Sequence, residues 1–182
     1  MSQEVDDLLG AAHDHRRAGE HEQVLETCRK LFELLPSTYD RGLDPELVPF
    51  LMEAHKLWIR SCVATGDFLG ATDGARDWVH LDPGSAEALA ARAESFLELG
   101  FYDRALADAT KLTEALPNHT GYWALLLDIY RRAGRIQDAQ STERKMESAL
   151  ARQNERFPEI SRFFEEKRRP PEQRLRLWPY SL

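Results

Sequence analysis

At 182 residues the chain is long enough for one domain with its own core, and 42% hydrophobic with 30% charged residues is a globular rather than a disordered composition. A net charge of -7, from 24 Lys and Arg against 31 Asp and Glu, argues against binding to nucleic acid or an anionic membrane surface, and no apolar run approaches bilayer-spanning length. Two cysteines, Cys28 and Cys62, are too few for a disulfide framework and fit a reducing compartment, and the opening residues lack a basic stretch followed by an apolar one, so a cytoplasmic protein without a secretory leader is expected.

In chain order, two amphipathic helical patterns flank Gly19 and end at Pro36. A polar segment, Ser37 to Leu43, follows, and Asp44-Pro45-Glu46 reads as a cap, a first-turn proline and an acidic first turn. A third helix is therefore expected to start near Pro45, to kink at Pro49 and to run to about Thr65. From there the punctuation is periodic: Gly66, Gly100 and Gly134 lie 34 residues apart, as do Pro83 and Pro117. The earlier interval, Gly19 to Gly66 and Pro36 to Pro83, is 47 residues, which places an insertion at residues 37–49 of an otherwise regular repeat. A continuous helical pattern runs from Arg135 to about Phe157. A shorter capping helix over 158–168, carrying Ile160, Phe163 and Phe164, follows, and Pro170-Pro171 opens an extended tail over 169–182.

Aligned on these marks, the repeats place Val24, Ala71, Ala105 and Ala139 at one position of the second helix, where small side chains let helices approach closely. Cys28, Ala75, Ala109 and Glu143 follow four residues later. Ala12, Ile59, Ala93 and Leu127 share a phase in the first helix, as do Leu8, His55, Leu89 and Trp123. A 34-residue helix–turn–helix with this alternation of large and small residues resembles the tetratricopeptide repeat, most closely over Ala86–Pro117, and the resemblance covers about residues 5–150. It implies an all-α, right-handed α-solenoid of about four helical hairpins over residues 1–157, a fold that lines a concave groove with the first helix of each repeat.

Catalytic constellations are not apparent. His13 and His15 are two residues apart on a helix and point to different sides, so they do not form a metal site. Cys28 and Cys62 fall at core phases, Asn118-His119-Thr120 reads as a helix start, and no phosphate-cradling loop or nucleophile motif is present. No enzyme activity, cofactor or metal is expected. The family resemblance implies a groove holding His13, Arg16, Arg17, Lys56, Arg60, Glu87, Glu94, Glu98, Asp128 and Arg131, with basic residues in the first two repeats and glutamates in the third. Some family members grip the carboxylate end of chaperone tails through Lys, Asn and Arg. Here the matching windows hold Lys56, Arg60, Ala91, Ala124 and Asp128, or Leu9, His13, Leu57, Ala90 and Glu94, and neither reproduces that clamp.

The expected function is a non-enzymatic adaptor or scaffold that binds a protein segment, with an acidic stretch against Lys56 and Arg60 and a basic one against Glu94 and Glu98. One alternative is a small acidic cytosolic chaperone of a secreted or assembling protein, and a remoter one is an enzyme or metal-binding protein. Residues 151–182 are net basic, unlike the rest, and the tail concentrates Arg174, Arg176, Leu177, Trp178 and Tyr180. It reads as a docking segment for its own solenoid, a second protomer in a homo-oligomer, or another protein.

Overall fold

The computed structural model describes residues 2–40 and 42–156; the capping helix expected over 158–168 and the tail with its docking residues Arg174, Arg176, Leu177, Trp178 and Tyr180 lie outside the described residues. Among those described, all regular structure is α-helical. The helices are α1 (Ser2–Ala18), α2 (His21–Leu34), α3 (Val48–Thr65), α4 (Phe68–Leu81), α5 (Ala86–Glu98), α6 (Tyr102–Ala115), α7 (Thr120–Arg132) and α8 (Ile136–Arg156). They form two compact bodies, one ending at Phe101 and the other beginning at Tyr102. In the first, α1 packs on α2, α2 on α3, α3 on α4 and α4 on α5; in the second, α6 packs on α7 and α7 on α8.

The turns follow from glycine. Gly19, Gly66, Gly100 and Gly134 all hold positive φ between 72° and 80°, the left-handed conformation that side chains with a Cβ resist. At Gly66 the amide closes the end of α3 on the carbonyls of Cys62 and Val63. Starts are set by side chains: Asp67 accepts from the Gly70 amide and Ser85 from the Ala88 amide, so each meets one of the amides a helix leaves open at its first turn.

The expected core phases are the observed ones. Val24, Ala71 and Ala105 are fully buried and Ala139 nearly so, as are Cys28, Ala75 and Ala109 one turn on. Glu143, which breaks this series, is half-buried and reaches Arg131 of α7 at 3.0 Å. Trp58 sits at the α3–α4 joint. Its Nε1 donates to the Gly70 carbonyl at 2.9 Å, and a Cβ added at Gly74 would stand 2.7 Å from its Cδ1. Glycine at 74 is therefore what lets α4 lie flat against the indole.

The third helix departs from expectation. It begins at Val48, not near Pro45, because Asp44 caps a turn: its side chain accepts from the Glu46 amide at 3.0 Å and its carbonyl from the Leu47 amide at 2.9 Å. Pro49 does not kink α3; it occupies the first turn, where its missing N–H has no intrahelical partner to lose.

The insertion is a packed element. Thr38 is buried with its hydroxyl 3.2 Å from His55 Nε2, and Tyr39 donates its hydroxyl to Asp77 of α4 at 2.7 Å while its ring lies against His80. Leu43 and Leu47 pack on a core cluster of Val5, Leu31, Leu35, Leu51 and Ala54. His55, stacked on Phe32, is buried deeply enough that loss of hydration drives its pKa down to about 4, so the ring is neutral at ordinary pH.

Candidate functional site

The first body presents one face of α1, α3 and α5, and the side chains on it interlock. His13 Nε2 of α1 lies 3.4 Å from Glu53 of α3; Glu53 also meets Lys56 at 3.8 Å. Lys56 reaches forward to Glu87 of α5 at 3.2 Å, and Arg60 reaches the same carboxylate at 3.4 Å. Helix spacing explains the ladder: Glu53, Lys56 and Arg60 are three and four residues apart, so they share one face of α3. The repeat explains its direction. A basic side chain late in one first helix meets a carboxylate early in the next repeat's first helix, in His13–Glu53 and again in Arg60–Glu87.

Within the face, the basic residues of the second repeat thus meet a glutamate of the third, and their charges are partly neutralised across the repeats. Lys56 and Arg60 are about a quarter exposed and Glu87 about a third, at 26%, 24% and 37% of the side chain. Lys56 Nζ also sits 5.3 Å from the Trp78 ring centre, a cation–π contact from the core side. Half-exposed pairs contribute about 0–1 kcal/mol each, so the ladder orders the face more than it stabilises the fold.

The remaining candidate residues fall into distinct environments. Arg16, one turn beyond His13, has a buried Nε with no hydrogen-bond partner. Arg17 is exposed and pairs with Asp14 at 3.2 Å. On α5, Glu94 is half-buried, and loss of hydration together with the charge of Glu98 one turn away pushes its pKa up to about 8. Ala90 and Leu97 of the same helix are buried. In the second body Asp128 is exposed and Arg131 is tied to Glu143. His15 pairs with Glu20 at 2.6 Å while His13 faces Glu53, so the two histidines diverge as their spacing requires. Among the described residues no group of three His, Cys, Asp or Glu is placed to hold a metal ion, and no helix is long and apolar enough to cross a membrane.

Both cysteines are free and buried, and desolvation pushes each thiol up to about 12, which makes them poor nucleophiles. The ladder was not legible in any single helix. Its signal was a basic residue at one place of a repeat and a carboxylate seven places earlier in the next, separated by 27 residues for Arg60–Glu87 and 40 for His13–Glu53.

Stacked helical hairpins with a charged face on their first helices define a tetratricopeptide-like helical-repeat protein, a kind of fold that serves as a protein-interaction scaffold. The crystal structure of MamA matches with a TM-score of 0.69 over 83% of this chain and 81% of that one at 16% identity. The C-terminal TPR-containing domain of a Plasmodium falciparum protein described as FK506-binding matches with a TM-score of 0.63, at 14% identity over 76% and 92% of the two chains. At such identities the likeness is one of fold. Comparison with curated protein sequences finds no match. The family model for the bacterial transcriptional activator domain matches residues 44–166, and the chain belongs to that family.

Proposed function

We propose that this chain is a non-enzymatic protein-interaction module acting in bacterial transcription activation, which holds a segment of a partner protein along the α1–α3–α5 face. The observation that carries the reading is the ladder itself: three successive first helices present charged side chains from equivalent repeat places on one side of the first body. Family membership supplies the setting. The net charge of -7 favours a role through protein contacts rather than direct contact with DNA, in the cytoplasm where transcription takes place.

A photo-crosslinking residue at Ala64, exposed at the end of α3 on the groove side, tests this against the same residue at Asp73, exposed on α4. Crosslinking in living cells of the source bacterium is expected to capture a component of the transcription machinery from Ala64 and not from Asp73. Capture from both positions alike, or from neither, overturns the assignment of the face. Capture of a secreted polypeptide at Ala64 would instead support the acidic-chaperone alternative.

A further inference from the structure

Arg16 is a ladder-side cation with a shielded donor that no described residue meets. Val5 shares a core cluster with Leu51 and Ala54, and Ala12 shares one with Leu57, so α1 and α3 run in the same direction. His13 on α1 meets Glu53 on α3; one turn further along are Arg16 on the first helix and Lys56 on the second, with Arg60 a turn beyond. Arg16 is half-buried, its Nε is shielded from water, and no described residue accepts from that N–H. A shielded guanidinium donor without an acceptor is unfavourable unless something supplies one.

The balance of donors and acceptors points the same way. On the α1–α3 side the face carries Arg16, Lys56 and Arg60, and the carboxylates that the ion pairs set against Lys56 and Arg60 are Glu53 and Glu87, while Glu94 and Glu98 lie further along α5. Around these pairs donors exceed acceptors. A guanidinium carries five N–H groups and an ammonium three, and Glu87 alone is shared between Lys56 and Arg60, at 3.2 and 3.4 Å rather than the 2.7–2.9 Å of a tight charged pair. Glu87 is thus a loosely held, partly exposed internal carboxylate on a donor-rich face.

Building on the groove reading above, we infer that the α1–α3 side of this face binds carboxylate side chains of an acidic segment of the partner protein. Arg16 is the receptor that the fold leaves unpaired, and Glu87 is the built-in competitor that the incoming carboxylates displace from Lys56 and Arg60. Recognition of this kind weakens with salt, because the sites are partly exposed.

The test uses the full chain and a fluorescein-labelled hexaglutamate peptide, read by fluorescence anisotropy at low salt, with hexalysine peptide as the opposite-sign control. Hexaglutamate is expected to bind and hexalysine not to bind at this face. Arg16→Gln should weaken hexaglutamate about tenfold, Glu87→Gln should tighten it by a similar factor, and Lys30→Gln on exposed α2 should leave it unchanged. Circular dichroism checks that each variant keeps its helix content. Absence of hexaglutamate binding, or binding indifferent to both Arg16→Gln and Glu87→Gln, overturns the inference. Displacement of the peptide by inorganic phosphate at equal ionic strength overturns it too, since the site would then be a general anion site. The Ala64 crosslink separates the two levels: if it forms in lysate and hexaglutamate does not compete, the face has a partner of other chemistry and this inference alone falls. If it does not form, the face assignment falls with it.

Discussion

The two sides of α3 hold the same first body together by different means. On the inner side, Trp58 lies on Gly70 and Gly74, His55 is sealed between Phe32 and Thr38, and Cys62 is fully buried. On the outer side, Glu53, Lys56 and Arg60 link forward and back through partly exposed ion pairs. Buried contacts resist replacement because nothing in water substitutes for them, whereas exposed charges exchange partners cheaply. The inner side should therefore carry stability and the outer side selectivity.

The largest test of that division is Trp58→Ala. It removes the indole from the α3–α4 joint, its hydrogen bond to Gly70 and the Arg29 guanidinium stacked 5.5 Å from the ring centre. A loss of about 3–5 kcal/mol is expected in urea or thermal unfolding. A loss below about 1 kcal/mol would mean that the joint is held elsewhere.

His55 gives the second test, through acid. Its folded pKa of about 4 lies below the ordinary 6.5, so between those values the unfolded chain binds a proton that the folded one refuses. Stability from this group is full above pH 6.5 and falls as the pH drops towards 4, by about 3 kcal/mol in total. His55→Gln, which can still meet Thr38, should flatten that part of the acid limb relative to the wild type in unfolding curves taken between pH 7 and 4.

Glu94 works in the opposite sense. Its folded pKa of about 8 lies above the ordinary 4.5, so the folded chain holds the extra proton in that window and stability falls as the pH rises through it. Allowing for screening of a half-buried group, the loss is about 2–3 kcal/mol. Glu94→Gln should abolish this alkaline slope and leave a variant more stable than the wild type at pH 8.5. An unchanged slope would show that Glu94 is ionised and solvated.

These residues also show what a sequence reveals. The hairpins were legible because a left-handed turn requires glycine and a helix crossing requires a small residue, requirements local to Gly19, Gly66, Gly100 and Gly134 and to Ala71 and Ala105. The start of α3 was misread because Asp44 caps a turn as readily as a helix, and Asp-Pro-Glu does not say which. Among the site residues, Lys56, Arg60 and Glu87 were recognised as sharing the groove face, yet their mutual pairing was not, since it depends on how far each repeat advances on the last. The state of Glu94 was illegible for another reason: its burial comes from the packing around it, and composition gives every glutamate the same charge.

The smallest effect is the sharpest check on the outer side. A double-mutant cycle of Lys56→Met and Glu87→Gln isolates the pair at 3.2 Å, since each change removes one charge and keeps much of the side-chain bulk. A coupling of about 0.2–1 kcal/mol is expected at low salt, shrinking towards zero at 1 M salt, where the screening length falls to about 3 Å. A coupling above about 2 kcal/mol that persists in salt would place the pair on the stability side of α3. Glu87 would then be too firmly held for an incoming carboxylate to displace it, and the ladder would be a structural clasp instead of an exchangeable surface. The low value is the one that lets the same side chains order the empty face and release it to a partner.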